Sequence, residues 1–296
     1  VRGEKIKYSF PVHISSFLPG VLFREQHYPI SFVNKGKKYP ALYVDSTQIS
    51  SRNIYLITVN ENIKVDGCIT INENIFPFNK KTVIDIFGTD FYPGWYLQQL
   101  LKFYAGLIIP DILERYLVLD ADVFLLKNIN FIQNNKIMMS YSEENHRPYM
   151  EHMSNLHPSL KRVYGDKSGI HHHMMFEKKY IQELFDMVEE YHKKDFYLAF
   201  LDSVPEKYRD NTTSASEYEI YFNFMLMNHK DKVIVRKLEI CNSDRVERNI
   251  SSKQRWSLNQ QWNNTRYSEY LDGICFHWHV RNKHDERVMK NVMMNV

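Results

Sequence analysis

Four apolar or aromatic residues, Tyr116-Leu117-Val118-Leu119, run directly into Asp120-Ala121-Asp122. A short apolar run of this kind reads as a strand buried in a sheet. In open α/β sheets, ligands bind at the carboxyl ends of the strands. Two carboxylates separated by one residue project to the same side of an extended segment. Together they suit a hard divalent cation, Mn²⁺ or Mg²⁺. Such a cation bridges a diphosphate and stabilises the charge that develops on it as a leaving group. Asp120 and Asp122 are therefore the candidate metal ligands. Three other places offer chemistry. The run His171-His172-His173 on an extended segment turns His171 and His173 to one face, where they can line a pocket, and His172 to the other. Gln98 and Lys102 lie one helical turn apart ahead of the D-x-D, within reach of a phosphate or a base. His13 and Arg52, at strand ends, are weaker candidates for contacting a nucleotide.

Composition explains why a metal matters. The 296 residues include only 10 glycines, and none fall in a G-x-G-x-x-G or G-x-x-x-x-G-K pattern. The two glycine-rich devices that cradle phosphates with backbone N–H groups are absent. A protein with this sequence that handles a nucleotide needs another way to neutralise phosphate charge. The net charge of +3, from 38 basic and 35 acidic residues, is too balanced for a nucleic-acid stripe. Cys68, Cys241 and Cys275 are far apart and form no C-x-x-C, as expected for reduced thiols in a reducing, cytoplasmic compartment. No apolar run reaches 18 residues, so no transmembrane segment is expected.

The elements that must hold these residues can be read along the chain. Strands are expected over Ile6–Ser15, Tyr39–Val44, Asn53–Val59, Cys68–Ile71, Tyr116–Leu119, Ile137–Tyr141, Ile170–Phe176, Val233–Leu238 and Ile274–His279. Helices are expected over Trp95–Leu107, from Lys178 to about Lys194, and over Glu217–Met227. Strands alternating with helices predict an α/β fold with a mixed, mostly parallel sheet flanked by helices. No Pro-, Gly- or Ser-rich linker divides the chain, so one domain over 1–296 is expected, with an N-terminal half (1–126) and a C-terminal half (127–296).

The segment Tyr116-Leu-Val-Leu-Asp120-Ala-Asp122-Val-Phe-Leu-Leu-Lys-Asn-Ile129 resembles the D-x-D strand of sugar-nucleotide glycosyltransferases of the GT-A fold. With Gly94–Lys102 before it, and Gly169–Phe176 and Ser216–Tyr221 after it, the ordered set resembles a group of such transferases from bacteria and large DNA viruses, over roughly residues 90–225. The resemblance implies a GT-A-like, Rossmann-like domain and a metal-dependent transfer of a sugar from a nucleoside-diphosphate sugar, expected to be a UDP-sugar, to a hydroxyl of a glycan or glycoconjugate. It implies Asp122 as the direct ligand of Mn²⁺ or Mg²⁺, with Asp120 toward the ribose or sugar, and a C-terminal ligand from His277 or His279. It also implies a carboxylate at a helix start as general base in an inverting enzyme, which is Glu217, with Glu219 as the second choice and Ser214 or Ser216 as N-cap. A retaining transferase needs no such base. A nucleotidyltransferase and an inactive carbohydrate-binding module are the alternatives.

Overall fold

The computed structural model describes residues 12–17, 30–34, 37–42, 51–60, 68–120, 123–126, 129–242 and 271–275. In chain order the strands are β1 (Val12–Phe17), β2 (Ile30–Asn34), β3 (Lys37–Leu42), β4 (Ser51–Thr58), β5 (Cys68–Asn72), β6 (Arg115–Asp120), β7 (Val123–Leu125), β8 (Ile132–Gln133), β9 (Lys136–Ser140), β10 (His173–Glu177), β11 (Val233–Arg236), β12 (Ile240–Asn242) and β13 (Gly273–Cys275). The α-helices among the described residues are α1 (Lys80–Phe87), α2 (Pro93–Ile108), α3 (Arg147–Leu156), α4 (Lys178–His192), α5 (Phe196–Asp202) and α6 (Glu217–Asn228). The fold is mixed α/β, and among the described residues no helix is long and apolar enough to cross a membrane.

The principal sheet has the order β10-β6-β1-β4-β5. It is mixed, as expected, but not mostly parallel. β1 runs antiparallel to both β4 and β6, and β10 runs antiparallel to β6; only β4 and β5 are parallel. The continuous apolar runs that suggested parallel strands have a different cause. Tyr116 to Leu119 are buried because helices and neighbouring strands cover the middle of the sheet, and that burial erases the alternation of an antiparallel strand. The reversed pairing also makes the site. Because β10 is antiparallel to β6, its first residue, His173, lies opposite Leu119, and the amide of Asp120 donates to the His172 carbonyl at 3.0 Å. The histidine run therefore begins where β6 ends.

Among the described residues the remaining strands form three smaller sheets, β2-β3, β11-β9-β8 and β12-β13-β7. In the last of these, β13 pairs antiparallel with β7 so that Cys275 lies opposite Val123, the residue after Asp122.

Helix α2 is held against the sheet by close contact. A Cβ on Gly106 would come within 2.3 Å of the Tyr116 ring, so glycine there lets α2 lie directly on β6. Proline at the first position of α2 needs no N–H partner. α6 is buried almost all round and sits within the apolar core rather than on it. It starts at Ser216, whose hydroxyl accepts from the Glu219 amide. Gly169 passes so close to α6 that a Cβ would lie 2.3 Å from Phe222 Cβ and 2.6 Å from the Tyr218 carbonyl. Three helices not expected from sequence are present, α1, α3 and α5. α1 carries a capping box, with Asn79 accepting from the Thr82 amide, and stops at Gly88 in a left-handed conformation (φ 70°).

Candidate functional site

Three elements meet at the end of β6. α2 supplies two side chains one turn apart, Gln99 and Lys102, both buried. Gln99 Oε1 accepts from the Glu217 amide at 3.0 Å, satisfying one of the N–H groups that the start of α6 leaves open. Lys102 Nζ lies 2.7 Å from Glu217 Oε1 and 2.6 Å from Asp120 Oδ1. The contact to Glu217 is off the hydrogen-bonding direction, so Oε1 is left without an aligned donor. The Tyr218 hydroxyl donates to the same Asp120 oxygen at 3.3 Å, and Lys102 Nζ sits 4.3 Å from the Tyr218 ring centroid. His172 Nδ1 lies 3.6 Å from the other oxygen, Oδ2. The loop before α6 is fixed by α2 as well: Trp95 Nε1 donates to the Ala215 carbonyl, and the Tyr96 and Ser214 hydroxyls are 3.0 Å apart.

The charges are strongly coupled. Burial works against the Lys102 ammonium, but Asp120 and then Glu217 more than offset it, and its pKa is raised. Burial also opposes the Asp120 carboxylate; Lys102, with His172 nearby, outweighs it and holds the pKa at about 2. Burial pushes Glu217 up, and Lys102 only partly counters it. One ammonium facing two carboxylates leaves one acidic equivalent to be met by a proton on Glu217 or by a second cation.

The structure brings together Asp120, Lys102 and Glu217 from the sequence candidates. Gln98 is half-buried, and the helix residue that reaches the site is its neighbour Gln99. Glu219 is fully buried and bound elsewhere: its Oε2 accepts from the Ser168 hydroxyl and the Gly169 amide, each at 2.6 Å, and its Oε1 accepts from Asn223 at 2.9 Å. It pins the 168–169 turn to α6, which removes it as a base for a bound acceptor. His173 is 2% exposed and contacts Ser140 through Nε2. His171 is half-buried, and burial drives its pKa down to about 3. The two rings do pack, 4.6 Å apart, but the histidine beside Asp120 is the middle one, His172. His13 pairs with Leu119 and so belongs to the same end of the sheet as Asp120. Arg52 does not. It lies in β4 between residues paired with Ser16 and Phe17, and Ser16 pairs with Tyr116 at the opposite end of β6. Asp122, His277 and His279 lie outside the described residues.

Among the described residues no group of three His, Cys, Asp or Glu is arranged to hold a metal ion. Asp120 Oδ1 is occupied by Lys102 and Tyr218. Its Oδ2 lies 3.6 Å from His172 Nδ1. Two donors do not make a closed protein cage, and a cation here would need further ligands. Sequence reasoning missed Gln99, Tyr218 and His172. For Tyr218 and Gln99 a signal existed, since each neighbours a candidate on its helix.

No curated protein matches the chain. Residues 48–272 match the model of a family of unknown function, and the chain belongs to that family, DUF6492.

Proposed function

We propose that the carboxyl end of β6 is the donor site of a metal-dependent glycosyltransferase that moves a sugar from a nucleoside-diphosphate sugar to a hydroxyl of a glycan or glycoconjugate. The observation that carries this reading is the Asp120 carboxylate. It stays ionised at a strand end and is held through Oδ1 by Lys102 and Tyr218, with Oδ2 facing His172. Asp122 is the direct ligand in this reading, with Asp120 Oδ2 turned toward the same side as His172. β13 supports a contribution from the C-terminal segment, because Cys275 pairs with the residue that follows Asp122. When bound, Mn²⁺ or Mg²⁺ would neutralise charge on the departing diphosphate.

The chain's own residues hold this arrangement. Lys102 and Tyr218 fix the Asp120 rotamer. Gln99 and Lys102 fix the first turn of α6. Glu217 is 1% exposed and in contact with Lys102, so in this reading it orients the ammonium. Service as the base of an inverting reaction would require that contact to open. The test is a panel of UDP, GDP and dTDP with Mn²⁺, scored by thermal shift, since selective binding to the folded state raises apparent stability. Stabilisation by one nucleotide that depends on Mn²⁺ supports the reading, and no stabilisation by any of the three removes it.

A further inference from the structure

Beyond Asp120, Lys102 and Glu217, a second group of side chains buries polar atoms that have no partner. Arg236 ends β11, and its Nε and Nη2 are both buried without a hydrogen-bond partner. These two nitrogens form the guanidinium edge that presents two parallel N–H donors to an oxyanion. Arg236 Cζ lies 5.4 Å from the Phe131 ring centroid. Phe131 meets His173 edge-on at 5.2 Å, and His173 meets His171 at 4.6 Å. The Nδ1 atoms of both histidines are buried and unpartnered too. Ser140, the register partner of Arg236 across β9 and β11, contacts His173 Nε2 at 3.0 Å. In the tautomer in which Ser140 donates, His173 Nδ1 carries the proton and is itself a donor. Asp272 acts on Arg236 electrostatically, but its Oδ2 accepts from the Glu239 amide and does not fill the Nε–Nη2 edge. Native proteins rarely bury so many unpaired nitrogens in one place, and each instance calls for an explanation.

We propose that the Nε–Nη2 edge of Arg236, with His173 and His171 linked to it through Phe131, binds a phosphoryl group. A planar carboxylate would be used up by the guanidinium fork. A tetrahedral phosphoryl group keeps a further oxygen for an imidazole N–H. The histidine run joins this edge to the Asp120 site: His171 and His172 rings are 5.9 Å apart, and His172 reaches Asp120 Oδ2. Assigning the group to the diphosphate of the sugar nucleotide rests on the glycosyltransferase reading. The phosphoryl site itself does not.

The test is calorimetric titration of the full chain with inorganic pyrophosphate in EDTA, comparing wild type, Arg236→Met and Arg236→Lys, with the Arg236→Met comparison repeated in an Asp120→Asn background. The expected result is measurable binding that weakens at least tenfold in Arg236→Met. Arg236→Lys should weaken it as well, because an ammonium cannot reproduce the fork. The Arg236 effect should persist with Asp120→Asn. Arg236→Met removes two buried N–H groups that have no hydrogen-bond partner, so its melting temperature should stay close to that of wild type; Arg236→Lys provides the second variant. Absence of pyrophosphate binding by wild type, equal binding by Arg236→Met, or acetate competing as well as pyrophosphate would overturn the site. UDP displacing pyrophosphate supports a nucleotide source, and failure to displace it overturns that assignment. Loss of any Mn²⁺ effect on UDP while Arg236-dependent pyrophosphate binding persists would remove the donor-site reading alone.

Discussion

Replacing Lys102 with methionine probes the centre of the site, because methionine keeps most of the aliphatic stem and removes only the ammonium. The side chains of Lys102 and Glu217 are 4% and 2% exposed, and that of Asp120 is 19% exposed. At an effective dielectric near 20, each contact of about 2.6 Å is worth roughly 6 kcal/mol of gross attraction. Desolvation offsets much of that, yet removing one partner strands the other charges in the interior, at a typical cost of about 3–5 kcal/mol. Against a total stability of about 5–15 kcal/mol, this is a large fraction. Part of the loss is relieved by protons on the carboxylates: burial already raises the Glu217 pKa, and the low pKa of Asp120 is chiefly the effect of Lys102 itself. Lys102→Met should therefore lower the unfolding free energy in urea by about 3–5 kcal/mol. Glu217→Gln, which leaves the Lys102–Asp120 pair balanced, should cost only about 1 kcal/mol. The double variant should be more stable than the sum of the two losses, with a coupling of about 1–3 kcal/mol. A Lys102→Met loss below about 1 kcal/mol, or strict additivity, would refute the claim that the ammonium holds two buried carboxylates together.

Two further outcomes follow from the same reasoning. Glu219→Gln places an amide NH₂ against either the Ser168 and Gly169 donors or the Asn223 donor, so it should cost about 1–3 kcal/mol in urea and speed hydrogen exchange at the Gly169 amide; wild-type exchange there would contradict the pinning role. His152 is fully buried with Nε2 at 2.8 Å from the Phe200 carbonyl, and burial lowers its pKa from 6.5 to about 4. The unfolded chain therefore binds a proton between pH 6.5 and 4 that the folded chain does not. The resulting stability is complete above pH 6.5 and falls by about 3 kcal/mol as the pH drops to 4. The stability difference between wild type and His152→Gln should change across that window, and a constant difference would rule out a neutral buried imidazole.

The sequence discloses the parts of this fold whose signal is local. The run Tyr116–Leu119, the buried helix α6 and the amphipathic α4 are all legible, because each carries enough apolar residues in the right period. α1 and α5 are short, and in α1 only Val83 and Phe87 are buried, so their periodicity is too weak to register, although Asn79 and Gly88 mark the ends of α1. Strand direction is not local at all. Residues covered on both faces lose the alternation that separates antiparallel from parallel, and here that hid the pairing that carries the histidines to Asp120. Lys102 shows the same limit. As a lone lysine on a helix it suits solvent or a phosphate equally well, and its partners lie 18 residues away in β6 and at the head of α6. Strand alternation does not govern the whole histidine run, because β10 begins only at His173 and His171 and His172 precede it.

The account rests on Asp120 and a divalent cation acting together on a nucleoside diphosphate. The most direct measurement is calorimetric titration of UDP into the wild-type chain and into Asp120→Asn, each with Mn²⁺ and with EDTA, after confirming by circular dichroism that the variant is folded. The account predicts that Mn²⁺ tightens UDP binding at least tenfold in the wild type and does not do so in Asp120→Asn. UDP affinity that is the same with Mn²⁺ and with EDTA in the wild type, or a full Mn²⁺ effect in the variant, would contradict it.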